Sequence, residues 1–509
     1  MAALFGNGAV MDAFSVAFRV PNLARRLFGE GALATAFLPV FIREKERGGL
    51  PAAWQLASAV LVVLAMALCL CVAAGELLLW MLWTWGPLGS ESQLLVGLTA
   101  VMLPYLVLVC LVAQVSAVLH GFGRFAGPAA APALLNLVWI AAIWFVAPAL
   151  EAPASQAYMV ALCITLAGFL QMGAMLPVLR QVGFRFDPAW RGARSQVREI
   201  GAAMLPVVVG LSITQLNALA DSLMAWGFSR PDSGSPLMPL PGAPAYPLEA
   251  GTASALYFGQ RMYQFPLGLF GVALGTVLFP VLARHAERGA LRDLRNDLLL
   301  GLKLITVIGL PASLGLVLMA ERLTALLFQH GAFDAADARQ TSAMIACYGI
   351  AVWAYGGLLI IHRGFYAVGD RQTPLRVGLL AVALNLTLSL TLIWIIGGTG
   401  LALATSIAAM LQVVVAMWLI QHRVGGFNLS ELSSTLVRAG TATALMGGAC
   451  VISCQFVPAG VSLAERAAAV FGPLIVSVAV YMIAARMLGL SELELLFRRE
   501  RSGDHADSD

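Results

Sequence analysis

Thirteen apolar runs, each about twenty residues or longer, succeed one another along this 509-residue chain. They lie near 11–42, 53–84, 94–119, 129–149, 156–179, 200–228, 252–283, 299–320, 340–361, 375–396, 399–420, 436–457 and 465–489. A run of that length crosses the hydrocarbon of a bilayer as a helix. The runs are continuous rather than alternating, which excludes a membrane β-barrel. With 60% hydrophobic and 11% charged residues, a soluble protein of this size could not solvate its surface. The fold class expected is an all-α polytopic membrane protein with about 13 transmembrane helices.

Lysine and arginine set the orientation. With the loop after the first run taken as inside, 22 of the 31 basic residues fall in inside loops and 4 in outside loops. Such a bias places the C-terminus in the cytoplasm and the first residues outside. An outside start without a leader suggests that one helix is missing from the front of the chain. The Pro-, Gly- and Ser-rich stretch 229–249 reads as a long external loop, and the tail after Arg501 as polar and disordered. All seven cysteines fall within apolar runs and read as small buried hydrophobes. Cys450 and Cys454 share a helix face, without a His or carboxylate beside them to complete a zinc site.

The chain repeats itself. TAFLPVFIREKERG (Thr35 to Gly48) returns as TVLFPVLARHAERG (Thr276 to Gly289), a constant offset of 241. GFGRFAGPAAAPALLNL returns in looser form as GFYAVGDRQTPLRVGLLAVALNL. Two related halves are expected, each opening with a charged helix, with two extra helices at the end. Parallel halves around a cavity are a transporter architecture.

The first run carries Asp12, Arg19, Arg25, Arg26 and Glu30 at membrane depth. Each costs roughly 2.5–3.5 kcal/mol on insertion scales, so they must line a polar interior. On an ideal helix Asp12, Arg19, Arg26 and Glu30 form one stripe about 40° wide, although Pro21 predicts a kink that shifts the phase beyond it. A plainer reading is a salt-bridge ladder, Asp12 with Arg19 and Arg26 with Glu30. It leaves Arg25 without a local partner, and Arg261 in the second half also lacks an acidic neighbour within a turn. Unpaired arginines in a cavity call for an anion, and the planar guanidinium suits a phosphate or diphosphate. Asp221 lies deep in its run and is either bonded to Asn217 or part of a cation or proton site with Asn385 and Thr405. Nothing resembles a nucleotide site, a phosphate-cradling loop or a catalytic triad. No enzymatic activity and no nucleic-acid partner are expected.

At this point the residues carry a resemblance. FGNGAVMDAFSVAFRVPNLARRLFGEGALATAFLPVF resembles the most characteristic stretch of the MurJ (MviN) lipid II flippases. QRMYQFPLGLFGVALGTVLFPVLARH, ALLFQHGAFDAADA and HRGFYAVGDRQTPLRVG resemble other family-typical pieces, so the likeness spans essentially the whole chain. It implies the V-shaped, two-lobed fold of the multidrug/oligosaccharidyl-lipid/polysaccharide (MOP) exporter superfamily, working by alternating access. The lobes would be 1–198 and 199–425, followed by two extra helices within 426–490 that form a groove for a polyprenyl tail, and a cytoplasmic tail 491–509.

The substrate implied is lipid II, an undecaprenyl-diphosphate glycopeptide, moved outward across the bacterial inner membrane for peptidoglycan synthesis. The membrane lipids and the peptidoglycan synthesis machinery would be its partners. Arg25 and Arg261 match family arginines that hold the diphosphate, Asp12 an important aspartate, and Glu30 belongs to the same motif, with Arg19 and Arg26 beside them. Asp221, Asn385 and Thr405 match a sodium site of some members, with Ser389 where a second aspartate would stand. The resemblance thus implies no bound cofactor and a drive from sodium or membrane potential. The family has fourteen helices, and this chain begins at what matches the second. Export of another polyprenyl-linked glycan, or a scaffold that does not transport, are the alternatives.

Overall fold

The computed structural model describes residues 1–27, 33–229, 246–458, 460 and 462–493. Glu30, most of the central stretch 229–249 and the polar tail lie outside the described residues. Apart from one isolated bridge between Ser229 and Leu248, regular structure among the described residues is helical. Helix is what an apolar chain without water must adopt, because it satisfies every backbone N–H and C=O within one segment.

The chain forms two compact units, Met1–Ser254 and Ala255–Asp509. The first opens with α1 (Ala2–Phe5) and α2 (Ala9–Ala24). Next come α3 (Leu33–Trp85), α4 (Ser90–Met102) and α5 (Tyr105–His120), then α6 (Ala126–Ala141), α7 (Pro153–Gln181) and α8 (Arg194–Gly227). α3 carries the end of the first expected run and the whole of the second, with a break at Gly49 (φ 71) before Pro51. A side chain there would be strained, so glycine lets the rod turn. Core aromatics such as Phe14, Phe37, Phe41 and Tyr105 are fully buried. Trp54 stacks on Phe122 and meets Phe184 edge-on, which holds α3 against the ends of its neighbours.

α9 (Thr252–Pro266) starts in the first unit and runs into the second. There it is followed by α10 (Ala273–Glu287), α11 (Leu291–Leu327), α12 (Ala335–Gly349) and α13 (Val352–Ala367). α14 (Gln372–Ile396), α15 (Thr399–Arg423), α16 (Leu429–Phe456) and α17 (Leu463–Met487) complete it. Ten helices among the described residues are long and apolar enough to cross a membrane. Two bent pairs, Thr252–Gly271 with Leu274–Glu287 and Ala335–Gly349 with Val352–Ala367, bring the number to 12. These correspond one to one with the expected runs after the first. The first, 11–42, contains residues outside the described set. Cys69 and Cys71 turn outward on α3, unlike the buried cysteines expected, and all seven cysteines are free.

The internal repeat extends to the helix defects. Behind Pro21 the backbone widens into π geometry at 25–27, and behind Pro266 it does so over Leu267–Val272. At the repeat offset of 241 the second segment corresponds to 26–31. Proline removes an N–H and clashes with the carbonyl four residues back, and a π turn absorbs the misfit.

The terminal hairpin α16–α17 packs on α11 and is clasped at one end by arginines. Arg322 of α11 donates to the carbonyls of Cys454 (2.6 Å), Val457 (2.7 Å) and Ala469 (3.0 Å). Arg466 of α17 returns the favour to Ala325 and Gln329 of the α11 end. The carbonyls of Cys454, Val457, Ala325 and Gln329 are at helix C-termini, where no N–H of the same helix is left to pair with them. At the other end Lys303 pairs with Glu431 at 2.7 Å, and the Tyr481 hydroxyl donates to the Val307 carbonyl. Arg322→Ala is expected to cost on the order of 3 kcal/mol. Amide exchange should accelerate in the last turn of α16 and leave α14 unchanged; uniform protection would refute the clasp.

A second tie joins α14 to α15. The Asp370 carboxylate accepts from the N–H groups of Gln372 and Thr373 and from the Thr373 hydroxyl, and pairs with Arg423. Partial burial works against its charge, but these donors outweigh it and hold the carboxyl below its ordinary value. Such a depressed group contributes stability above the unfolded value, about pH 4, and loses it as pH falls toward the folded value. Thermal stability is therefore expected to fall through that acid window, and Asp370→Asn to flatten this part of the profile in a melting series.

Candidate functional site

Residues 11–18 of α2 are all buried, so its second and third turns meet protein on every side. Asp12 stands there 2% exposed. A carboxylate so placed must be bonded or neutralised. Its two oxygens accept from the backbone N–H groups of Gly251 (2.8 Å) and Ser254 (2.7 Å). Those belong to the start of α9, where the first N–H groups have no partner of their own and the helix dipole is positive. Asp12 thus caps a helix that begins 240 residues further along. The receiving turn is shaped by Gly251 at φ 86 and closed by the Ser254 hydroxyl donating to the Gly251 carbonyl at 2.9 Å. The carboxylate is directed at another helix rather than along its own.

Arg19 follows, half-buried, on α2. Arg25 and Arg26 fall on the π turn at 25–27 and are half-buried as well. The wider turn breaks the ideal stripe at this point, as Pro21 predicts. Nε and Nη2 of Arg25 both donate to the Asn22 side-chain oxygen Oδ1 at 3.1 Å. Glu30 is outside the described residues, so the far end of the stripe carries no description.

Arg261 is set by the opposite face of α9. Gln260 donates to the Tyr348 hydroxyl at 3.2 Å, and the Tyr263 ring stacks between Tyr348 and Tyr355. With that face pinned, Arg261 is exposed on the other. Its Nη2 donates to the Tyr257 hydroxyl at 3.1 Å, and its guanidinium lies 4.9 Å from the centre of the Tyr257 ring. Among the described residues no carboxylate pairs with it. A neutral ring and hydroxyl orient the cation without cancelling its charge.

Asp221 is buried in the first unit, with Asn217 Nδ2 at 3.5 Å from Oδ2, the plainer of its two readings. Asn385 and Ser389 are buried one turn apart on α14, and Ser389 Oγ has no hydrogen-bond partner among the described residues. Thr405 on the adjacent α15 donates its hydroxyl proton to the Leu401 carbonyl at 3.0 Å. These second-unit oxygens are hard, neutral donors of the kind sodium accepts. Among the described residues no three His, Cys, Asp or Glu side chains converge as a metal cluster.

Reading the chain alone passes over Asn22, Tyr257, Gly251 and Ser254. The first two sit three and four residues before the arginines they hold, a spacing legible on a helix. Gly251 and Ser254 carry no local signal.

A family model described as "Lipid II flippase MurJ" matches residues 1–470. The chain is similar to a probable lipid II flippase MurJ of Vibrio cholerae serotype O1, 31% identical over 96% of this chain and 92% of that one. It is also similar to the lipid II flippase MurJ of Burkholderia cenocepacia, 32% identical over 81% of this chain and 77% of that one. Among solved structures, a lipid II flippase MurJ in an inward closed conformation superposes with TM-score 0.75, covering 98% of this chain and 95% of that one at 19% identity. An inward-facing multidrug resistance MATE transporter of the MOP superfamily superposes with TM-score 0.67, covering 83% and 92% at 14% identity. The fold is that of the MOP transporters.

Proposed function

Because the chain belongs to the lipid II flippase MurJ family, we propose that it carries lipid II from the inner to the outer leaflet of the bacterial inner membrane by alternating access, its C-terminus in the cytoplasm. The observation that carries this reading is Arg261, exposed and steadied, among the described residues, by the neutral Tyr257. A cation so prepared suits a diphosphate, to which a guanidinium donates two parallel N–H bonds. Arg25, forked on Asn22, offers the same chemistry in the first unit, with Arg19 and Arg26 adding positive charge nearby. Asp12 keeps the start of α9 in place and thereby the helix that bears Arg261. The lobes in this reading are 1–198 and 199–425, which puts Asp221 in one lobe with Asn385 and Thr405; the terminal hairpin within 426–490 serves the polyprenyl tail, and 491–509 is the cytoplasmic tail.

No bond of the substrate is made or broken in this reading, so the activity is transport rather than enzymatic conversion. The peptidoglycan synthesis machinery receives the product. Two drives are compatible with the residues. The membrane potential does about 2.3 kcal/mol of work per unit charge per 100 mV, enough to bias a cavity rich in arginine. Asn385, Ser389 and Thr405 would hold a sodium ion, which supplies a neutralising charge in the second unit, and Asp221 is the candidate carboxylate.

The test is lipid II translocation in cells depleted of their own flippase, measured with and without sodium and with the potential collapsed. Restored outward lipid II, lost on collapsing the potential or removing sodium, supports the reading and names the drive. Growth without lipid II at the outer face, or translocation only of another polyprenyl-linked glycan, would overturn the substrate.

A further inference from the structure

Cys450 and Cys454 share a face of α16, and the structure brings Met319 of α11 against both. Met319 Sδ lies 3.5 Å from Cys450 Sγ and 3.9 Å from Cys454 Sγ. Cys450 and Met319 are buried, Cys454 is half-buried, and Val470, Leu318, Leu323 and Leu326 surround the three sulfurs. An ion about 2.3 Å from each of three sulfurs in a plane needs them roughly 4.0 Å apart. The two Met319–cysteine spacings, 3.5 and 3.9 Å, are within about half an ångström of that. A tetrahedral zinc ion would need a fourth ligand, and no group of three or more His, Cys, Asp or Glu converges here among the described residues. Two thiols with a thioether select a soft monovalent ion of low coordination number instead.

We propose that Cys450, Cys454 and Met319 form a site for one Cu(I) ion. On binding, both thiol protons leave to solvent and copper stays Cu(I), so no electron moves. Two thiolates and one Cu(I) sum to a single negative charge. Arg322, bonded to the Cys454 carbonyl at 2.6 Å, supplies the compensating positive one in an otherwise apolar surround. The ion ties α11 to α16 at the end where the arginine clasp already joins them. This site stands on its own residues and does not depend on the transported substrate.

The full-length protein, purified without oxygen, is loaded with Cu(I) and challenged with bicinchoninate. One copper per chain is expected to remain, with three sulfur neighbours at about 2.3 Å in the X-ray absorption spectrum and a higher melting temperature. Met319→Leu should weaken retention by about tenfold or more, and the double variant Cys450→Ser, Cys454→Ser should abolish it. Cys69→Ser with Cys71→Ser should leave it unchanged. Complete loss to the chelator, retention insensitive to the three site residues, or nitrogen, oxygen or a fourth sulfur in the spectrum would overturn the site. The spectrum is read on the wild-type protein, so a variant that fails to fold does not blunt the test.

Discussion

Arg261→Ala is expected to abolish growth of a flippase-depleted strain carrying this protein, and Arg25→Ala to do the same. A forked guanidinium–phosphate contact comprises two charge-assisted hydrogen bonds, each worth about 1.5–3 kcal/mol. Losing both weakens headgroup binding by roughly two to four orders of magnitude. Arg261→Lys keeps the charge and loses the planar fork, so partial rescue is expected. Tyr257→Phe removes the hydroxyl that accepts from Nη2 and leaves the ring beneath the guanidinium, so a smaller loss is expected. Full rescue by both alanine variants, at normal protein level in the membrane, would sink the assignment of these arginines to the diphosphate.

The second large effect concerns Asp12. Asp12→Ala orphans the N–H groups of Gly251 and Ser254, both of which the native carboxylate satisfies. The cost is on the order of 3–5 kcal/mol, because a charged acceptor is lost from a helix N-terminus inside the protein. Asp12→Asn keeps one acceptor oxygen and should fall between. Amide exchange in the first turn of α9 should rise steeply in the alanine variant, with a lower melting temperature and poor complementation. An alanine variant with native exchange in that turn would show that the cap is dispensable. Loss of complementation with native exchange would give the carboxylate a role other than capping.

The long apolar runs were legible because a helix in lipid is specified by its own residues. Each run satisfies its own backbone and needs no partner to be recognised. The repeat was legible as well, and a π turn follows a proline in each copy, Pro21 and Pro266. Pro21 announced a defect in α2, though the kind of defect depends on how the widened turn packs. The arginines stood out because charge at membrane depth is costly, and their holders Asn22 and Tyr257 lie within one turn.

Other features were hidden. Asp12 reads locally as a partner for Arg19, yet its carboxylate goes to a turn 240 residues away. Cys450 and Cys454 read as a pair lacking a third ligand, and the third sulfur, Met319, arrives from a helix 131 residues earlier. Nothing near Arg322 or Arg466 in the chain points to the carbonyls of other helices that each of them holds.

The amino-acid sequence by itself determined that this is a polytopic helical membrane protein, where its helices run, that it is built of two related halves, and which charges demand explanation. These properties follow from local hydropathy and periodicity, to which each residue contributes independently of the rest. Only the tertiary structure decided what those charges and sulfurs touch. Contacts between helices depend on the rotation and depth of each, and a carboxylate, a thiol or a guanidinium carries no mark of its distant partner.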